Sequence, residues 1–172
     1  MRTPRLWIAA SCLVSLLAAT ITAWAQTRKA GLWEITSTMT LQQSPYPPGA
    51  PIPPTSPFNG GPRVAQVCLT QEMIDKYGAP VPESRSDCQL SNVQKSEHGM
   101  TADLICSGRM TGKGSLQSSW SDPEHAKGSV HFVGTVQAGQ NPRPIEWTRE
   151  STSIFKSADC GDVKPVPMPD SK

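Results

Sequence analysis

Apolar and polar residues alternate along residues 31–42, where Trp33, Ile35, Met39 and Leu41 are separated by threonines and a glutamate. This two-residue period, rich in β-branched and aromatic side chains, is typical of a strand with one buried face and one solvated face. Shorter patterns of the same kind predict strands at 64–69, 87–94 and 100–106. The first half of the chain is therefore predicted to be mainly β.

The second half of the chain predicts further strands separated by turns. Apolar residues mark these strands around 116–120, 130–136 and 145–155. Gly112-Lys113-Gly114 and residues 139–144 are predicted turns, and Gly134 suggests a bulge or bend within a strand. One short helix is predicted over residues 71–77, since Thr70 can cap its start and Gly78 can end it.

These elements predict a mainly β fold, an antiparallel meander sheet that is strongly curved or barrel-like, with one short helix and two disulfides. The pattern does not separate small barrels from sandwiches. We expect one β domain over residues 26–162. Residues 43–63, with eight prolines, are predicted to be a mobile or polyproline-II loop insertion, and residues 163–172 a disordered tail.

Residues 1–25 have the pattern of a secretory signal peptide. Arg2 and Arg5 precede an apolar stretch, and Ala23-Trp24-Ala25 supplies the small residues that a signal peptidase recognises. We therefore expect a mature protein from Gln26, located in the periplasm without stable membrane insertion. Two alternatives for the leader are a membrane anchor and a lipoprotein cysteine at Cys12, but the apolar stretch is short for the first and continues well past Cys12 for the second.

Charge argues against a nucleic-acid partner. The whole chain has 16 Lys+Arg and 14 Asp+Glu, and two of the basic residues lie in the leader. The mature chain is then formally neutral and lacks the clustered positive charge that nucleic acids or anionic membranes require.

Four cysteines follow the leader, namely Cys68, Cys88, Cys106 and Cys160. An even number in an exported chain predicts two disulfides, for which three pairings are possible. Cys68–Cys88 with Cys106–Cys160 is the favoured pairing, because the first closes a local loop and the second attaches the end of the domain. No CxxC or paired-histidine spacing indicates a metal site, and no cofactor is expected.

An ordered set of short motifs resembles domain-of-unknown-function family 3617. The set comprises Gly31-Leu32-Trp33-Glu34, Cys68-Leu69-Thr70 followed by Glu72, the single cysteines Cys88 and Cys106, and Asp159-Cys160-Gly161-Asp162. The resemblance covers roughly residues 29–165. It implies a small secreted or periplasmic protein of Gram-negative bacteria with four paired cysteines, and it carries no catalytic residue.

Catalytic motifs are lacking in the sequence: there is no GxSxG elbow, and Glu146 and Glu150 fit the solvated face of a strand. We therefore expect no enzyme and no catalytic residue. Arg149 falls on the face predicted to be buried, where a cation is costly unless paired. Either Arg149 faces a cavity and an anionic ligand, or a bulge turns it outward.

The tryptophans Trp33, Trp120 and Trp147 are core residues or, if the sheet is curved, the lining of an apolar pocket. With Arg149 they are the candidate ligand-binding residues. The leading expectation is a non-enzymatic periplasmic protein that binds a small or lipid-like ligand, apolar or anionic, in a β-lined cavity. The alternative is an envelope module that binds another protein, and a hydrolase has the least support.

Overall fold

Seven strands form one antiparallel sheet in the computed structural model, which describes residues 28–54, 56, 58–78, 87–138 and 141–168. The predicted signal peptide lies outside the described residues. The elements are β1 (Gly31–Gln43), β2 (Arg63–Leu69), α1 (Gln71–Tyr77), β3 (Cys88–Lys95), β4 (Gly99–Ser107), β5 (Met110–Asp122), β6 (His125–Ala138) and β7 (Asn141–Ser157).

The strand order is β2-β1-β7-β6-β5-β4-β3, so β3 to β7 form a meander and β1 pairs with the last strand. The predicted antiparallel meander with one short helix is confirmed. Within the described ranges the two edge strands, β2 and β3, do not pair with each other, so the sheet is not closed into a barrel.

One face of the sheet, which we call the inner face, carries the apolar residues predicted by the alternation, and they form two clusters. The first cluster contains Trp33, Leu69, Met73, Ile74, Tyr77, Met100, Ala102, Leu116, Trp120 and Ala126. The second cluster contains Met39, Cys88, Leu104, Cys106, Phe132, Ile145 and Trp147. The core is thus divided between two ends of one face.

Helix α1 has the predicted bounds and packs into the first cluster. The Thr70 side chain accepts a hydrogen bond from the Met73 N–H at 3.1 Å, and Gly78 ends the helix in the left-handed conformation at φ 68°. Gly78 also lies against Trp120, since a Cβ there would come within 2.5 Å of the indole ring.

The predicted turn at 112–114 is wrong, because β5 continues through these residues and the chain turns before Met110. Gly112 is paired with Gly134 on β6, and the register shows no bulge there. A Cβ on either glycine would lie 2.9 Å from the Phe132 ring. The glycines therefore make room for a fully buried phenylalanine rather than reversing the chain.

In the parts described, the proline-rich segment is a loop whose residues are mostly exposed but which packs against the sheet at a few points; we call residues 44–62 the strap. Ser56 is buried, its hydroxyl lies 2.9 Å from the Tyr46 hydroxyl, and its carbonyl accepts a hydrogen bond from Arg63 at 2.6 Å. Phe58 packs against the second cluster. Prolines restrict the segment to few conformations, so a handful of contacts suffices to hold it against the sheet.

The favoured disulfide pairing is wrong: the bonds are Cys68–Cys160 and Cys88–Cys106. Cys88 and Cys106 lie directly opposite each other on β3 and β4. Cys160 follows β7, which reaches β2 through β1, and this brings it to Cys68. Proximity in sequence was the wrong criterion because strand pairing decides which cysteines meet.

The tail differs from the expected disorder as far as Met168. The Val166 N–H donates to the Cys68 carbonyl at 3.0 Å, and Val166 and Met168 pack against the first cluster. Residues 169–172 lie outside the described residues. The Cys68–Cys160 bond holds the start of this segment beside β2.

The two disulfides should stabilise the fold unequally. Cys68–Cys160 spans 92 residues and Cys88–Cys106 spans 18. Loop-closure entropy then gives about 4–5 kcal/mol for the first and about 3 kcal/mol for the second. We expect the Cys68→Ser/Cys160→Ser double variant to lose more stability in urea than Cys88→Ser/Cys106→Ser. Equal losses, or a peptide map linking Cys68 to Cys88, would contradict this assignment.

Candidate ligand-binding site

Small residues separate the two apolar clusters on the inner face. Ser37, Ser151, Gly128 and Ser118 lie opposite one another on β1, β7, β6 and β5. Because these side chains fill little of the space between the clusters, a cavity of about 80 Å³ remains there. Arg28, Arg149 and Ser153 also line this cavity.

Arg28 is the most unusual residue of the cavity. It precedes β1, is only 3% exposed, and holds its guanidinium carbon 4.0 Å from the centre of the Trp33 ring and 5.9 Å from that of Trp120. Its Nη1 donates to the Gly78 carbonyl at 2.7 Å. Its Nε and Nη2 are buried and have no acceptor among the residues that the structure describes. The cation is thus supported by aromatic rings and one carbonyl, with two donors unused.

No carboxylate pairs with Arg28 among the described residues. Burial lowers the pKa of its guanidinium to about 10, because the charged form has lost most of its contact with water. The side chain remains charged at neutral pH. A buried, unpaired charge of this kind destabilises the folded protein. Stability therefore does not explain why an arginine lies here.

Arg149 lies on the inner face, as the alternation predicts. The register runs without a shift through its pairs with Met39 and Val130, so the alternative of an outward turn at a bulge is wrong. The guanidinium lies 5.9 Å from the centre of the Trp147 ring. Desolvation lowers the pKa of Arg149, and the nearby positive charge of Arg63 lowers it further.

The three candidate tryptophans are core residues rather than the walls of the cavity. Trp33, Trp120 and Trp147 are at most 7% exposed, and Trp147 stacks on Phe132 with ring centroids 5.5 Å apart. Trp33 and Trp120 donate to backbone carbonyls, whereas the Trp147 Nε1 is buried without an acceptor. The rings of Trp33 and Trp147 instead lie near the guanidinium groups of Arg28 and Arg149, respectively.

Sequence reasoning missed Arg28. The residue precedes the first alternating position, so no periodicity assigns it to a face. Only its place three residues before the start of β1, near the predicted mature N-terminus, could have drawn attention to it.

Two larger concave regions are less suited to a specific ligand. A trough of about 490 Å³ is lined mainly by hydroxyl and charged residues of the opposite, outer face. A cleft of about 510 Å³ lies between the strap and the ends of β5 and β6. Neither is lined by a buried group that lacks a hydrogen-bond partner among the described residues, whereas the 80 Å³ cavity is.

The exposed pair of His125 and Asp122 holds the turn between β5 and β6. The Asp122 carboxylate accepts hydrogen bonds from the Glu124 N–H and from His125, which lower its pKa in that order. In the described part of the chain, no group of three or more His, Cys, Asp or Glu side chains could hold a metal ion.

The fold and the site define a disulfide-bonded antiparallel β protein with a small cationic cavity on the inner face of its sheet. A family model described as "Protein of unknown function (DUF3617)" matches residues 28–160, and the chain belongs to this family. The resemblance deduced from the short motifs is thereby confirmed. No curated protein and no solved structure matches the chain.

The two disulfides are consistent with a secreted or periplasmic protein. Among the residues that the structure describes, none belongs to a helix of the length and hydropathy needed to cross a bilayer.

Arg28→Met should stabilise the ligand-free protein. Methionine retains much of the apolar stem and removes a charge with two unused donors, so we expect a gain of about 1–3 kcal/mol in urea unfolding. Lys29→Met is the matched control, because Lys29 is exposed and its ion pair with Glu124 contributes about 0–1 kcal/mol. A loss of stability in Arg28→Met alone would show that the guanidinium is a structural group.

Proposed function

We propose that this protein binds a small ligand, without catalysis, in the cavity between the two apolar clusters. The observation that carries the proposal is the buried Arg28 guanidinium, which lines the cavity with two donors unused. Buried donors in folded proteins almost always have acceptors, and a ligand that supplies them removes the cost of leaving them unpaired.

The chemistry of the unused groups indicates what the ligand offers. The unused atoms of the cavity-lining Arg28, Nε and Nη2, are both donors, and a guanidinium has no accepting atom. The ligand therefore presents hydrogen-bond acceptors to the inner face.

The size of the cavity limits what it encloses. Pockets that enclose drug-sized molecules have volumes of about 300–1,000 Å³. The cavity here has about 80 Å³. It suits a polar group of a few atoms, so a small ligand fits better than a whole lipid, and a longer ligand would place the rest of its chain outside this cavity.

The periplasm is the proposed location. The leader pattern of residues 1–25 and the two disulfides support it, since disulfides persist in that oxidising compartment.

A protein-interaction module is the second candidate. Strand β2 is an edge strand, and Val64 on it is 65% exposed, so a partner could add a strand there. The PxxP run of the strap supports this candidate less, because Pro45 is buried and Tyr46 is bonded to Ser56.

Native mass spectrometry of protein purified gently from a periplasm should show a bound small molecule. The added mass should disappear on denaturation, because the contacts that hold it are non-covalent. A bare monomer that can be cross-linked to an envelope protein would instead support the second candidate.

Filling the cavity should abolish this adduct. Ser153 is 7% exposed and lines the cavity, so Ser153→Leu places apolar volume where the ligand's polar group would lie. Thr152→Leu is the control, since Thr152 is exposed on the opposite face. We expect the adduct to be lost only in Ser153→Leu, with both variants retaining a β-type circular dichroism spectrum. An adduct that persists in Ser153→Leu would place the ligand elsewhere.

A further inference from the structure

Charge is distributed unequally between the cavity and the opposite face of the same strands. Arg28 and Arg149 line the cavity, and no aspartate or glutamate is among its described lining residues. Lys127 also borders it but is exposed and alternates with the buried Ala126, so it belongs to the outer face. On β1 and β7 the carboxylates of Glu34, Glu146 and Glu150 alternate with the inner residues and therefore lie on the outer face. Among the described residues, the outer face therefore carries charges of both signs, whereas the cavity carries positive charge without a carboxylate.

A third arginine extends this positive region towards solvent. Arg63 on β2 lies opposite Ser37, which lies opposite Ser151, so it shares the inner face. Arg63 is exposed, Arg149 is half-buried and Arg28 is buried. Arg63 is also close enough for its charge to act on Arg149. The exposure of the arginines thus decreases from the edge of the sheet towards the first cluster.

We propose that the ligand carries a compact oxyanion, a phosphate or carboxylate group, which Arg28 and Arg149 bind in the cavity and Arg63 attracts from solvent. This inference rests on the proposed function and names the chemical class of its ligand.

A neutral acceptor explains less of the geometry than an oxyanion does. A neutral carbonyl would satisfy one or two donors but would leave the buried Arg28 charge without a counter-charge. An oxyanion satisfies the donors and neutralises the charge, and the planar guanidinium matches its oxygens. The burial of Arg28 strengthens such a pair, because little water reaches its guanidinium to screen it.

The test is a set of fluorescence titrations at low ionic strength, with inorganic phosphate, octyl phosphate, octanoate and octanol as probes. Trp33 lies against Arg28, so occupancy of the cavity should change its emission. We expect at least one anionic probe to bind about tenfold more tightly than octanol. Equal binding of inorganic phosphate and octyl phosphate would support a free oxyanion as the natural ligand. Binding of the octyl anions alone would support the head group of an amphiphile.

Substitution of each of the three arginines tests its role in binding separately. Arg28→Gln and Arg149→Gln should each weaken binding of the anionic probe about tenfold or more, mainly through faster dissociation. Arg63→Gln should mainly slow association, by about two- to threefold, since a charge at the rim attracts the anion without a buried contact. Lys113→Gln removes a positive charge from the exposed outer face and should leave binding within about twofold.

Two results would overturn the inference that the ligand carries an oxyanion. Octanol binds as tightly as the anionic probes only if charge is irrelevant, so equal binding of octanol contradicts the inference. Binding that is unchanged in Arg28→Gln and Arg149→Gln contradicts it as well. In either case a native adduct that is lost in Ser153→Leu would leave the proposed function standing. The absence of both probe binding and any native adduct would overturn the two proposals together.

Discussion

Pairing of the first strand with the last is the constraint on which the rest of the molecule depends. β1 and β7 are joined through eleven residue pairs, from Leu32↔Ser157 to Gln43↔Glu146. This ladder places Ser37, Ser151 and Ser153 together and adds the β1–β2 hairpin to the meander. It also brings Cys160 to Cys68, so the disulfide fixes an arrangement that the strands have already made.

The inner face depends on small residues in two different ways. Gly112 and Gly134 lie beneath Phe132 and allow a large ring to be fully buried. Ser118, Gly128 and Ser151 lie between the clusters, where no large side chain fills the space that they leave. Beneath Phe132 the small residues permit close packing, whereas between the two clusters they prevent it. A cavity bounded by two well-packed clusters is the consequence, because interiors otherwise leave few voids.

Local patterns in the sequence predicted more of the fold than of the site. Alternation identified the strands and placed Arg149 inward, and capping residues gave the bounds of α1, because both signals depend on neighbours in sequence. The disulfide pairing, the packed strap and the role of Gly112 were not predicted, because each depends on which strands meet. Arg28 was missed for the same reason: its surroundings come from Trp33, Gly78 and Trp120.

Arg28 is the residue at which stability opposes the proposed binding. Its guanidinium is kept out of water by the first cluster, and the residue lines the cavity with two donors that have no acceptor among the described residues. The free energy lost by this arrangement in the ligand-free protein becomes available when a ligand supplies the missing acceptors and charge, since the cost of burial has already been met by folding. Two disulfides and a non-local strand pairing stabilise the surrounding fold against the cost of burying Arg28. A small, rigid β domain can therefore hold a charged group in place before the ligand arrives, which is the condition for tight binding of a small anion.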